Sequence, residues 1–295
     1  MAKLRISLKP TLKKLEIFTK RRVSSSFLGS YKSVFRGRGL EFETYRPYLP
    51  SDDARLIDWK ATLRINETLV KEFREERELN VFLLIDVSST MFFGSILKLK
   101  NEYAAELASS LCFAVLQAND AAGFALFSDK IIESSLPVRD NKQFYFLLRH
   151  LTNIKNHGGS CNFKNAIEFA ITHLRPSSIL IIISDFIGLG KDWEKLLKMA
   201  TGKFDLIGIM IRDPRDRTLP PLNKRVLVED TLSQKQLLIQ PELIREKYSR
   251  YVAKQESMIR DIFKNAGADF ISLSTDKEFL KPIMNFFNAR IKKFV

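Results

Sequence analysis

"NVFLLIDVSSTM", from Asn80 to Met91, decides how the rest of the chain is read. Val81 to Ile85 is an unbroken apolar run that ends in an acid, Asp86. An apolar run this short, bounded by polar residues, reads as a strand buried on both faces. Ser88 and Thr90 then follow at alternate positions. In a near-extended loop, residues two apart project to the same side. One carboxylate and two hydroxyls can therefore converge just beyond the end of a buried strand.

Working outward, strands alternate with helices from Asn80 onward. Leu99, Tyr103, Leu107, Leu111 and Val115 share one face of a helix that follows the first strand. "AGFALFS" and "KIIESSLP" read as strands joined by the tight turn at Ser128-Asp129, which suggests an antiparallel hairpin. "NKQFYFLLRHL" is helical, and a second helix runs from Phe163 to a stop at Pro176. "SILIIIS", "FDLIGIMI" and "DFISL" are further strands, and "KDWEKLLKMA" is a helix between the first two. "RVLVEDTLSQKQLLI" reads as an inserted hairpin. A long helix runs from Glu242 to a cap at Gly267, and a last helix is expected to start at Pro282. This alternation predicts an α/β fold, a mostly parallel, Rossmann-like sheet flanked by helices. In such open sheets, ligands gather beyond the carboxyl ends of the strands.

Composition fits that architecture. The chain has 295 residues, 45% of them hydrophobic and 28% charged, enough for a large soluble domain with a sizeable core. Apolar runs such as Ile179–Ile183 fall far short of the ~20 residues of a membrane-spanning helix. Charges interrupt the N-terminus where a signal peptide keeps an apolar stretch, so the expected location is the cytoplasm. Two cysteines give neither a disulfide framework nor a metal spacing. Cys112 is expected in the core and Cys161 as a solvent-facing thiol without a role. His150, His157 and His173 share no spacing and receive no role.

The chain carries a formal charge of +14, unevenly spread. Residues 1–38 hold eleven Lys and Arg against the single Glu16. Such a segment is either a solvated helix face whose excess charge favours solubility or a surface for an anionic partner, whether acidic protein, lipid surface or nucleic acid. No helix-turn-helix, zinc or RNA-binding signature accompanies it, which argues against nucleic acid. Residues 1–79 read as a basic, arginine- and aromatic-rich extension and residues 80–295 as the sheet domain.

Two more groups fall just after strands or at a glycine-rich turn. Asp185 ends "IIIISDF", and Ser160 sits in "GGSCN" before a helix. Together with Asp86, Ser88 and Thr90 they offer two carboxylates and three hydroxyls. An all-oxygen set suits a hard cation such as Mg²⁺, with Mn²⁺ or Ca²⁺ as substitutes. A cation held by few charged ligands keeps an open position that a partner's acidic side chain can fill. The rival reading of "DVSST" is a hydrogen-bonded helix cap. "MFF" at Met91–Phe93 is either an apolar rim for docking or packing beneath the next helix.

This pattern resembles the metal-ion-dependent adhesion site of von Willebrand factor type A domains, which combine D-x-S-x-S, a GGT-type loop and a strand-ending Asp. Thr90 replaces the second Ser and Ser160 the Thr, and both keep an oxygen. Upstream, "GSYKSVFRGRGLEFETYRPYLPSDDARLIDWKATLR" resembles the signature of the bacterial domain of unknown function 58 family. The match includes Gly29, Ser33, Gly37, Gly39, Glu41, Phe42, Arg46, Tyr48, Asp52, Asp53, Arg55, Ile57, Asp58, Trp59 and Arg64, with departures at Ser51 and Leu63. The two resemblances together cover nearly the whole chain. They imply a type A-like domain with an N-terminal extension and a non-enzymatic adaptor or chaperone-like partner of a MoxR-type AAA+ ATPase. The acid–arginine signature at Glu41–Arg64 is either a partner surface or an internal network with Phe42 and Trp59 in the core, and the network is favoured because alternating acids and arginines can satisfy one another.

An enzyme of the haloacid-dehalogenase type is the catalytic rival. There Asp86 would be a nucleophile and Ser184 the hydroxyl ending a later strand. Ser88 stands where that chemistry needs a second Asp, and no Asp-Asp pair ends a later strand.

Overall fold

The computed structural model describes Thr19, residues 27–29, 31, 40–50, 52–65, 67–75, 79–190, 192–230 and 235–294. Most of the basic segment 1–38, with Ser33 and Gly37, lies outside these residues, as do Gly39 and Ser51.

A six-stranded sheet organises the fold. Its strands are β3 (Asn80–Asp86), β4 (Ala121–Phe127), β5 (Ile131–Val138), β6 (Ile179–Ser184), β7 (Asp205–Arg212) and β10 (Asp269–Ser274). Their order is β10-β7-β6-β3-β4-β5. All neighbours pair in parallel except β4 and β5, the expected hairpin. The sheet is therefore mostly parallel and flanked by helices on both faces, as the strand–helix alternation predicts. β3 lies at its interior between β4 and β6, which is why its sequence is apolar on both faces.

The pleat divides those strands between two cores. Val81, Leu83, Ile85, Ile181 and Ile183 pack on one face with helices α2 (Lys100–Gln117), α3 (Lys142–Leu151) and α8 (Leu280–Phe294). Phe82, Leu84, Leu180 and Ile182 pack on the other with α4 (Phe163–His173), α5 (Trp193–Thr201) and α7 (Pro241–Asn265). Helix α2 buries Tyr103, Leu107, Leu111 and Val115, the stripe read from the sequence. Phe27 and Tyr31 belong to the first core, and the Tyr31 hydroxyl donates to Asp120 at 3.0 Å. A short helix α6 (Pro214–Arg217) and a hairpin of β8 (Val226–Glu229) and β9 (Gln236–Ile239) lie between β7 and α7. Among the described residues, no helix is long and apolar enough to cross a membrane.

Residues 40–75 form their own antiparallel pair, β1 (Leu40–Pro47) with β2 (Leu69–Glu75), bridged by the short helix α1 (Trp59–Ile65). Acid–arginine pairing is present here. The Arg46 guanidinium grips Asp52 through two bonds of 2.6 and 2.8 Å and holds that carboxyl down at about 2. Asp58 accepts from the Tyr45 hydroxyl and from the backbone N–H groups of Lys60 and Ala61, opening α1. The expectation of a buried Trp59 fails, because the residue is 65% exposed. Trp59 and Leu63 are four residues apart, so they share a helix face, and both point outward. The side chain of Phe42 lies outside the described residues.

Candidate functional site

The carboxyl ends of β3 and β6 lie side by side, with Ile85 opposite Ile183. That register brings Asp86 next to Ser184. The Ser184 hydroxyl donates to Asp86 Oδ2 at 2.6 Å, and the Ser88 backbone N–H donates to Asp86 Oδ1 at 2.9 Å. Both oxygens of a fully buried carboxylate are thus engaged. The Ser88 and Thr90 hydroxyls lie 3.1 Å apart, so the alternation in "DVSST" does aim two oxygens at one place. Ser88 is buried, and Thr90 is half-buried above it.

The glycine-rich loop is stitched to the same place. The Gly158 N–H donates to Val87 O at 2.8 Å, and the Ser89 N–H donates to Gly159 O at 2.9 Å. Gly158 and Gly159 adopt φ of +123° and +82°, a region that favours glycine, and this lets the loop turn against β3. Ser160 follows at the exposed rim. Its hydroxyl has no hydrogen-bond partner among the described residues.

Asp185 is fully buried, and its Oδ1 accepts from the Ile187 N–H at 3.0 Å. Phe186, next to it, takes a left-handed φ of 52° and donates its N–H to Ser184 Oγ at 2.9 Å. A bulky residue rarely adopts that φ, so the loop holds Asp185 at a local conformational cost. Asp185 acts electrostatically on Asp86. Burial and then the Asp185 charge push the Asp86 carboxyl up to about 6, against the lowering effect of its bonds to Ser184 and Ser88.

Sequence reasoning missed several members of this neighbourhood. Lys100, the first residue of α2, is buried, and its Nζ lies 2.7 Å from Asp185 Oδ2 and 3.0 Å from Asp216 Oδ2. Asp213, at the end of β7, accepts from Ser95 N–H at 2.8 Å and from the Ser95 hydroxyl at 2.5 Å. Asp213 was findable, since it follows a parallel strand just as Asp86 and Asp185 do. Nothing local marks Lys100, whose partners lie 85 and 116 positions away in the chain. Cys161 corrects the expectation of a solvent-facing thiol. It is buried, and burial, with the charges of Asp86 and Asp185, pushes its thiol far above the usual range. A thiol in that state is a poor nucleophile. Of the apolar run after the site, Met91 packs into the core while Phe93 is 39% exposed.

The donor set can be tested against a cation. Among the described residues, no three His, Cys, Asp or Glu side chains converge on one metal position, so the site depends on its hydroxyls. Asp86 and Asp185 are two buried carboxylates whose mutual repulsion a cation relieves. The neighbouring hydroxyls are hard oxygen donors. These residues fit a hard divalent ion better than a soft one. Lys100 already offsets part of the negative charge.

Residues 44–258 match the family described as "Protein of unknown function DUF58", and the chain belongs to that family. A relative in Mycobacterium tuberculosis, "Uncharacterized protein Rv1480", is 27% identical over 286 residues, covering 95% of this chain and 88% of its own. Among solved structures, conserved hypothetical protein BatB from Bacteroides thetaiotaomicron superposes with a TM-score of 0.50 at 15% identity, over 72% of this chain and 99% of its own. A von Willebrand factor type A protein from Catenulispora acidiphila gives a TM-score of 0.38 at 12% identity, over 75% of this chain and 44% of its own. The fold assignment rests on the strand order and on the BatB superposition.

Proposed function

We propose that this member of the DUF58 family is a non-enzymatic interaction protein whose site at the ends of β3 and β6 works through a divalent ion. Asp86, Ser88, Thr90, Ser160 and Asp185 would hold Mg²⁺, or Mn²⁺ or Ca²⁺ in its place. When bound, the ion supplies an electrophilic position that an acidic side chain of a partner protein completes. The observation that carries this reading is the pair of buried carboxylates, Asp86 and Asp185, beside the converging hydroxyls of Ser88 and Thr90.

This chain's own residues do the positioning. Ser184 and the Ser88 N–H fix both oxygens of Asp86, and the Ile187 N–H fixes Asp185. The stitching of Gly158 and Gly159 to β3 carries Ser160 to the rim, where a partner can reach it. The non-enzymatic reading is supported by the neighbourhood of Asp86. A phosphatase of the haloacid-dehalogenase type needs a second acid two positions after its nucleophile, and the residue there is Ser88, whose backbone N–H holds Asp86 and whose hydroxyl meets Thr90.

The partner class is the one that the family resemblance implies, a MoxR-type AAA+ ATPase, and the proposed location is the cytoplasm. The test is capture of partners by the full chain in Mg²⁺, in EDTA, and with Asp86→Ala as bait. An AAA+ ATPase retained in Mg²⁺ and lost in the other two conditions is the expected result. The same proteins retained in all three would remove the ion from the mechanism and move attention to residues 1–79.

A further inference from the structure

Lys100 stands outside the five residues assigned to the ion, yet it is bonded to one of them. A lysine is almost never fully buried unless paired. This one is 1% exposed and lies between Asp185 Oδ2 at 2.7 Å and Asp216 Oδ2 at 3.0 Å. The Phe93 ring covers it, with Nζ 5.6 Å from the ring centroid.

Its second anchor is fixed independently of the site. Asp216 Oδ2 also accepts the Asp213 N–H at 2.9 Å, and the Asp216 carbonyl accepts the Tyr248 hydroxyl at 3.0 Å. The backbone leading into Lys100 is fixed as well. Ser95 is bonded twice to Asp213, and the Lys100 N–H donates to Phe93 O at 3.1 Å. The ammonium is therefore held between two carboxylates and shielded from solvent.

We infer that Lys100 is a resident cation that sets the strength of divalent-ion binding at the Asp86–Asp185 site. The inference rests on the metal reading given above. A fixed unit charge beside Asp185 repels an incoming divalent ion and leaves the site with less negative charge than its carboxylates alone would give. Asp216 moderates that repulsion by drawing the ammonium's charge away from Asp185. Two substitutions should then act in opposite directions. Lys100→Met keeps an apolar stem and removes the charge, so it should tighten binding by on the order of tenfold. Asp216→Asn keeps the shape and leaves the ammonium less compensated, so it should weaken binding by roughly threefold or more. A purely structural role for the Lys100 cluster would weaken binding in both.

The experiment is a titration of the full chain with Mn²⁺, followed by the electron paramagnetic resonance signal of the free ion. Wild type, Lys100→Met and Asp216→Asn are compared, each with a melting curve in EDTA. Tighter binding by Lys100→Met with weaker binding by Asp216→Asn supports the inference. Binding by Lys100→Met alone would mean that the ammonium takes the ion's place in the native chain, and it would overturn the metal reading and with it the inference that rests on it. Wild-type binding with no gain in Lys100→Met overturns the inference and leaves the metal reading standing. No binding by any of the three overturns both. If Lys100→Met does not fold, Asp216→Asn decides. Weaker binding at an unchanged melting temperature supports the inference, and equal or tighter binding overturns it.

Discussion

Asp86→Asn raises the melting temperature of the protein in EDTA at pH 7 and removes the stabilisation that Mg²⁺ gives to the wild type. The reason is the buried carboxylate. Burial and the neighbouring Asp185 push the Asp86 carboxyl up to about 6 from an ordinary value of 3.8. Between those values the folded protein holds the proton more tightly than the unfolded chain does. Stability contributed here is present at low pH, falls as pH rises through that window, and is fully lost above about 6. The cost of the ionised form is on the order of 3 kcal/mol. Asparagine avoids it while keeping an oxygen for the Ser88 N–H and an amide that can donate to Ser184. Melting curves at pH 4.5 and 7 in EDTA should therefore differ less in the variant than in the wild type. Added Mg²⁺ should raise the melting temperature of the wild type at pH 7 and leave the variant unmoved. A variant less stable than wild type at pH 7 would show that Asp86 is not held against an unfavourable charge.

Phe263→Ala is expected to cost about 3–5 kcal/mol in urea unfolding, the range for removing a buried Phe. Phe263 is fully buried on α7. Its ring lies on the backbone of β7 so closely that a Cβ on Gly208 would collide with it, which is why glycine stands at that strand position. It meets Phe186 edge-on, with centroids 5.3 Å apart, and Phe270 at 4.9 Å. Phe186 immediately follows Asp185 and carries the left-handed φ of that loop. The ring of Phe263 therefore supports the core and also one carboxylate of the site. A loss below ~1 kcal/mol would mean that the neighbouring rings close the gap without it.

The sheet was legible because buried parallel strands need apolar side chains on both faces. "VFLLI" and "ILIII" show that directly, and the period of α2 is equally plain. Boundaries fixed by distant partners were less legible. Helix α2 starts only at Lys100, because the two bonds from Ser95 to Asp213 and the Phe93–Lys100 contact hold the preceding loop out of the helix. The last helix begins at Leu280, two positions before Pro282. Proline is tolerated in a first helical turn, where no intrahelical donor is lost.

In the site, Asp86, Ser88, Thr90 and Asp185 could be read from their places after strands; Ser88 bonds to Asp86 and lies beside Thr90, and Asp185 acts on Asp86 through its charge. Ser184 was weighed only as part of a phosphatase motif, whereas its hydroxyl orients Asp86. Lys100 was hidden because a lysine at a helix start looks like an ordinary solvated residue until its remote acids are known. Cys161 and Trp59 were misjudged in opposite directions. A glycine-rich loop suggested exposure for the thiol, but the loop folds it inward against the carboxylates. Acid–arginine pairing suggested a covered Trp59. The pairing exists at Arg46–Asp52, while the helix that Asp58 opens turns the indole outward.

The most direct test of the account is calorimetric titration of the wild-type chain with Mg²⁺, beside Asp86→Ala. Saturable binding to one site is expected in the wild type, at or below millimolar concentration, and none in the variant. Equal binding by both proteins, or none by either, would contradict it.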